Sequence, residues 1–130
     1  YENKFKFNLI WHGKKTRNST MLALENFDLH AIVSLSEAST SILYEALSVS
    51  LPTISLNQDG MKDALNNGIG MLIDIEGNTA KRFAKGIDLI MNNPQILHDY
   101  RDKIHLNLKD YTWEDKIKKF QIMYDSILEK

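Results

Sequence analysis

The chain has 130 residues, of which 43% are hydrophobic and 25% charged, with no cysteine and a formal net charge of −1. This length supports one domain with a sizeable core, and the ordinary composition excludes intrinsic disorder and fibrous repeats. The charge balance argues against a nucleic-acid-binding protein, and no apolar run reaches the roughly 18 residues of a membrane-spanning helix. The absence of cysteine excludes disulfides and thiolate metal sites, and we expect a cytoplasmic protein.

The first half of the chain predicts two strands and two helices. Apolar side chains alternate over residues 5–11, which is typical of a strand. Residues 21–26 predict a short helix, and the compact apolar run 31–35 predicts a strand buried on both faces. Helical spacing over residues 42–49 ends ahead of Pro52, because the residue before a proline is displaced from helical angles.

The second half continues the alternation of strands and helices. Residues 53–56 predict another buried strand, which a turn at residues 57–60 ends, and residues 71–73 predict a short strand. Helices are predicted over residues 61–66, over residues 79–92, after Pro94 and after a capping box that starts at Thr112. Short buried strands that alternate with helices predict an α/β domain with a parallel sheet.

Three loops follow the predicted strands and are the candidate binding loops. In parallel sheets ligands bind outside the carboxyl ends of the strands, so residues 12–18, 36–41 and 57–61 should open on one edge of the sheet. Residues 36–41 enter a helix through a run of small residues, and free backbone N–H groups at a helix start can bind a phosphate. The commoner use of serine and threonine at such a position is helix capping, and both interpretations stay open on these residues alone.

Two glutamates lie eight residues apart across this loop and its helix. Glu37 belongs to the loop, and Glu45 shares a helix face with Ser41, four residues earlier. Glu45 stands in an otherwise apolar stretch, where an unpaired buried carboxylate would be costly, so it should face solvent, a partner or a ligand. The four histidines show no metal-ligand spacing with acidic neighbours, and we expect no metal site.

The segment 27–56 resembles the nucleotide-sugar-binding half of the family-4 glycosyltransferases, which have the GT-B fold. That family carries a strand, a serine–glutamate loop, a second glutamate eight residues on, and then alanine, a small residue, proline and a strand. The matching residues here are Ser36, Glu37, Glu45, Ala46, Ser50 and Pro52. The similarity extends to His12 and Gly13 upstream and to residues 67–73 and 110–113 downstream, so it covers nearly the whole chain.

The resemblance implies a role for each matching residue. Glu45 would accept hydrogen bonds from the ribose hydroxyls of a nucleoside-diphosphate sugar, and Glu37 would lie at the donor sugar as the catalytic residue. The loop that follows His12 and Gly13 would lie beside the base. Backbone N–H groups of the small residues would meet the sugar and the diphosphate, namely those of Ala38, Ser39, Thr40 and Ser41. Family members transfer the sugar with retention of configuration and usually need no metal.

The resemblance also implies that residues 1–130 are the carboxy-terminal, donor-binding part of a glycosyltransferase. This part would form a partial Rossmann-like parallel sheet with helices on both faces. An amino-terminal acceptor domain and the first strand–helix units would be missing partners of the same protein. We expect the fragment alone to be inactive and the strand at residues 5–11 to leave an edge through which copies self-associate. The parent enzyme would make peripheral contact with the inner face of the membrane.

This sequence departs from the family pattern at three points. Ala38 and Ser50 stand where the family commonly has glycine, and the family's basic pair, which neutralises the leaving diphosphate, belongs to units outside this chain. Lys14, Lys15 and Arg17 do not match that pair, and we interpret them as a solvated loop. Two alternatives to a glycosyltransferase therefore stay open: a non-catalytic GT-B-like adaptor, and an epimerase or phosphorylase that shares the architecture.

Overall fold

The computed structural model describes residues 8–36 and 41–128. Within them, three strands form one parallel sheet in the spatial order β1 (His30–Ile32), β2 (Thr53–Leu56) and β3 (Gly70–Ile73). Ile54 of β2 lies between Ala31 of β1 and Met71 of β3. The predicted α/β class and the parallel sheet are confirmed, and β2 has the bounds that the sequence predicts.

Helices connect the strands, because parallel neighbours require a crossover. Helix α1 (Arg17–Leu24) precedes β1, α2 (Ser41–Ser48) joins β1 to β2, and α3 (Asp59–Leu65) joins β2 to β3. The chain then continues through α4 (Thr79–Asn92), α5 (Pro94–Asn107), a short 3-10 helix (Leu108–Tyr111) and α6 (Trp113–Leu128). Helix α4 coincides with the predicted helix 79–92, and the backbone N–H of Asp115 donates to Thr112 Oγ1 at 3.2 Å, as a cap at Thr112 predicts.

Apolar clusters cover both faces of the sheet. On one face, Ile54 and Leu56 pack with Phe83 and Ile90 of α4. The opposite cluster draws on β1, α2, α3 and α5 and consists of Ile32, Leu43, Leu47, Met61, Leu65, Ile69 and Ile104. The prediction of helices on both faces is therefore confirmed, and the sheet is held by side chains that alternate between two cores.

The turn from α2 into β2 closes with a left-handed residue. The backbone N–H of Ser50 donates to Leu47 O and that of Leu51 donates to Ala46 O, both at 2.9 Å, which is the hydrogen-bond pattern of a Schellman motif. Ser50 takes the left-handed position with φ 55°, and Leu51 packs with Ala46 and Leu24 in a third apolar cluster. Ser50 stands where the family pattern described above commonly has glycine, and glycine suits this position because it adopts positive φ without steric cost.

Three predicted elements differ from the structure by more than two residues. Residues 5–7 of the first predicted strand lie outside the described residues, and residues 8–11 form no strand; a strand needs a hydrogen-bonded neighbour, and none of the described residues supplies one here. Strand β1 ends at Ile32, and Ala31, Val33 and Leu35 are exposed, so the run 31–35 is not buried on both faces. Helix α1 begins four residues before the predicted start, because Thr16 caps it by accepting from Ser19 N–H.

Helix α6 carries a row of apolar side chains that are largely exposed. Ile117, Phe120, Tyr124 and Ile127 repeat along one face, as the sequence spacing predicts, and each is more than half exposed. No helix within residues 8–36 and 41–128 combines the length and the apolar character needed to cross a membrane.

Candidate functional site

The loops after the three strands meet at the carboxyl edge of the sheet. The side chain of Gln58, two residues past β2, donates a hydrogen bond to the carbonyl oxygen of Ser34, two residues past β1. Asn57 Nδ2 donates to Asp74 Oδ1 at 2.7 Å, and the backbone N–H of Asn57 donates to Ile73 O at 2.8 Å. These contacts connect β1 to β2 and β2 to β3, so the predicted loops 36–41 and 57–61 start side by side.

Glu45 lies in the second turn of α2, the helix that starts at this edge. Its neighbours Leu43, Ala46 and Leu47 are fully buried and fix the rotation of the helix against the sheet and α1. The Glu45 side chain is only 16% exposed. Ser41, the first residue of α2, lies one turn ahead of Glu45 and is exposed. The predicted shared face of Ser41 and Glu45 is therefore present, with the carboxylate largely shielded from solvent.

Arg17 supplies the hydrogen bond that the Glu45 carboxylate needs at this depth. Arg17 Nε lies 3.0 Å from Glu45 Oε1, a charge-assisted contact between the first turn of α1 and the second turn of α2. The Arg17 side chain is 80% exposed, so the guanidinium lies over the carboxylate on its solvent side. The interpretation of Arg17 as part of a solvated loop is correct for solvation but wrong for the loop, because Arg17 is the first residue of α1 and has a specific partner 28 residues away.

His12 and Gly13 lie shortly before this ion pair in the chain. Both are exposed, and Gly13 adopts a positive φ of 64° that turns the chain toward Thr16, the cap of α1. Gly13 lies four positions before Arg17, which limits the distance between them to about 15 Å. Residues 12–16 of the predicted loop therefore lead into the ion pair with Glu45, whereas Arg17 and Asn18 begin α1 and are not loop residues.

Four predicted site residues lie outside the described residues: Glu37, Ala38, Ser39 and Thr40. Their neighbours in the chain, Ser36 and Ser41, are described and flank the carboxyl edge. The predicted roles of these four residues stay predictions.

Gln58 lies within the predicted loop 57–61, but its bond to Ser34 was not predicted from the sequence, and neither were Asp74 and the pairing of Arg17. Gln58 and Asp74 could have been named from one signal, since each lies within two residues of the end of a parallel strand and such ends meet at one edge. No comparable signal marks Arg17, whose contact with Glu45 depends on how α1 packs against α2.

Chemically, this edge presents a shielded carboxylate with a guanidinium beside it and polar side chains on both neighbouring strand ends. A carboxylate offers acceptors to two vicinal hydroxyls at once, and an arginine offers donors to an anion. Such a set suits a ligand that carries both a diol and a negative charge.

Comparison with known proteins agrees with this architecture. A family model described as "Glycosyl transferases group 1" matches residues 2–107. An uncharacterized glycosyltransferase of Haemophilus influenzae is 26% identical over 105 residues, which are 80% of this chain and 30% of that protein. The chain thus spans about a third of the length of this relative. The family model covers most of the chain, including every strand and the helix that carries Glu45, and the chain therefore belongs to the group 1 glycosyltransferases.

Proposed function

We propose that this chain is the donor-binding part of an enzyme that transfers a sugar from a nucleoside-diphosphate sugar to an acceptor with retention of configuration. Membership of the group 1 glycosyltransferases supports sugar transfer. The observation that carries the donor assignment is the shielded Glu45 carboxylate at the carboxyl edge of the sheet, where a parallel α/β fold binds its ligand. Glu45 accepts hydrogen bonds from the ribose hydroxyls of the donor.

The loops on either side of Glu45 bind the rest of the donor in this proposal. The loop after His12 and Gly13 lies beside the base, since it opens next to Arg17 and Glu45. Backbone N–H groups of residues 38–41 hold the sugar and the diphosphate, and Glu37 lies at the donor sugar. The free N–H groups at the start of α2 favour the anionic diphosphate.

Catalysis by such a site is mostly positioning and charge stabilisation. The nucleotide sugar is held with its anomeric carbon toward the acceptor. Hydrogen-bond donors of the protein that point at the departing diphosphate stabilise the charge that develops there. In this proposal the residues that bind the acceptor, and the basic residues that neutralise the leaving diphosphate, lie in other parts of the protein. The relative is about three times as long as the matched region, which leaves room for them. Neither a metal nor another cofactor takes part in this proposal.

A nucleotide titration of the natural full-length protein tests the donor assignment. Uridine and guanosine diphosphates are added while amide hydrogen exchange of residues 36–45 is followed. We expect protection of this segment by one nucleotide, and the variant Glu45→Ala should lose about 1.5–3 kcal/mol of binding free energy, the contribution of a hydrogen bond to a charged group. The matched control is Glu25→Ala, which removes an exposed glutamate at the end of α1 and should leave binding unchanged.

Two outcomes would contradict parts of the proposal. If neither nucleotide protects residues 36–45, the chain does not bind the donor through this edge. If a nucleotide binds but the full-length protein neither transfers nor hydrolyses the corresponding sugar, a non-catalytic GT-B-like adaptor becomes the better assignment.

A further inference from the structure

The ion pair between Arg17 and Glu45 is placed where a purely stabilising contact would contribute little. Exposed ion pairs typically contribute almost nothing to stability, and the Arg17 side chain is 80% exposed. Its partner is different, because the Glu45 side chain is 16% exposed and lies on a helix whose inner residues are fixed by the core. The contact therefore acts mainly on the orientation of the carboxylate.

We propose that Arg17 is a positioning residue for Glu45, which it holds in the orientation that receives the ribose hydroxyls of the donor; this inference rests on the proposed function. A glutamate side chain has several rotatable bonds, and a carboxylate without a partner samples several orientations. The bond from Arg17 Nε fixes Oε1 before the ligand arrives, so less conformational entropy is lost on binding.

The acceptor capacity of Glu45 is sufficient for both partners. A carboxylate has about four acceptor positions on its two oxygens, and Arg17 occupies one of them on Oε1. The acceptor positions that remain on the two oxygens are enough for two vicinal hydroxyls. Positioning and ligand binding therefore do not compete.

Charge gives a second reason for the pair. The proposed donor carries a diphosphate, and an uncompensated carboxylate close to it would repel the ligand. The Arg17 guanidinium neutralises Glu45 without removing its acceptors. Lys14 and Lys15 carry the same charge nearby, but neither forms an ion pair with a described residue.

The local sequence explains why Arg17 is in place. Thr16 caps α1, with its side chain accepting from Ser19 N–H at 3.3 Å, and its carbonyl oxygen accepts from Thr20 N–H at 3.0 Å. This cap fixes Arg17 as the first residue of α1. The packing of Leu24 against Ala46 holds α1 beside α2, so the guanidinium and the carboxylate meet across the two helices.

The test is a double-mutant cycle on the full-length protein with uridine and guanosine diphosphates as probes. Arg17→Ala should weaken binding of the preferred nucleotide about tenfold, and Arg17→Lys should restore only part of it, because lysine keeps the charge and loses the planar guanidinium. The variant that combines Arg17→Ala with Glu45→Ala should bind no more weakly than Glu45→Ala alone. Removal of the exposed Arg17 side chain opens the Glu45 carboxylate to water, so the thermal midpoint of Arg17→Ala should fall only slightly.

The matched control is Arg101→Ala. Arg101 Nη2 lies 3.4 Å from Asp28 Oδ1, a second arginine–carboxylate pair at the opposite, amino-terminal edge of the sheet, and its loss should leave nucleotide affinity unchanged. If Glu45→Ala weakens binding but Arg17→Ala matches Arg101→Ala, the positioning role is wrong and the donor assignment stands. If the two site variants weaken binding independently, Arg17 does not act through Glu45. If Glu45→Ala itself has no effect, the proposed function fails.

Discussion

The side chain of Gln58 donates to the carbonyl oxygen of Ser34 and thereby joins the ends of the neighbouring strands β1 and β2. Gln58 is also the N-cap residue of α3, yet its side chain makes no capping hydrogen bond. One side chain cannot do both, and here it stabilises the loop rather than the helix. Because Ser34 starts the segment that leads to Glu37, this contact fixes one end of the proposed donor-binding loop.

The variant Gln58→Ser should separate stability from binding. Serine is a favourable N-cap, which contributes about 1 kcal/mol to a helix, whereas the lost bond to Ser34 costs about 1 kcal/mol. We therefore expect the free energy of unfolding to change little, while nucleotide affinity falls severalfold because the loop loses its anchor. Denaturant unfolding and nucleotide titration of the full-length protein measure the two effects.

Asn78→Ser is the matched control for this prediction. Asn78 caps α4 by accepting from Lys81 N–H at 3.0 Å, and serine can replace that bond without affecting the strand ends. Both stability and affinity should stay at the parent values. Equal affinities for Gln58→Ser and the parent would show that the bond to Ser34 does not organise the site.

The sequence predicted those parts of the fold whose signals are local. Helix α4 was predicted with its observed bounds, since its apolar spacing and the break before Pro94 are both local signals. The end of β1 was not predicted correctly, because the exposure of Val33 depends on which other elements the fold places beside it. Arg17 and Glu45 are 28 residues apart, and their contact follows from the packing of two helices that no local pattern specifies.

Ser50→Gly should stabilise the protein. Ser50 holds the left-handed position of the Schellman motif with φ 55°, a conformation that costs a residue with a Cβ roughly 1 kcal/mol and glycine almost nothing. Glycine also gains flexibility in the unfolded chain, which offsets about half of this strain, so we expect a net gain of about 0.5 kcal/mol. Denaturant unfolding of the full-length protein measures the change.

Ser50→Ala separates backbone strain from loss of the hydroxyl. Alanine keeps the Cβ and hence the strain, so it should give no gain. If alanine stabilises as much as glycine, the hydroxyl group of Ser50 rather than its φ value is the unfavourable feature.

His30 should make stability depend on pH. Burial lowers the pKa of His30, whose Nδ1 lies 3.2 Å from Thr53 Oγ1, because the folded environment disfavours the charged imidazolium. The unfolded chain, with an ordinary histidine pKa of about 6.5, then binds the proton more readily. The stability is fully present above that pKa and falls as the pH drops below it toward the lower folded pKa.

Unfolding curves recorded between about pH 7.5 and pH 5.5 test this dependence. His30→Gln removes the titrating group and should flatten the dependence, whereas His98→Gln, at an exposed position of α5, should leave it as in the parent. A profile that His30→Gln leaves unchanged would assign the dependence to another group.

Gly70→Ala should be the most disruptive of these substitutions. Gly70 opens β3 opposite Thr53, and an added Cβ would overlap the carbonyl oxygen of Thr53 and lie 3.1 Å from Leu65 Cδ2. A backbone carbonyl in a strand cannot move aside as a flexible side chain can, so β2 and β3 would have to separate. We expect the free energy of unfolding to fall by about 3 kcal/mol.

Gly77→Ala is the control for this prediction. The φ of 64° at Gly77 adds about 1 kcal/mol of strain for alanine, but the added Cβ meets no atom within 4 Å. Thermal unfolding of both variants in the full-length protein compares the two, and equal losses would show that β2 and β3 accommodate the added Cβ, so that the contact with Thr53 is not costly.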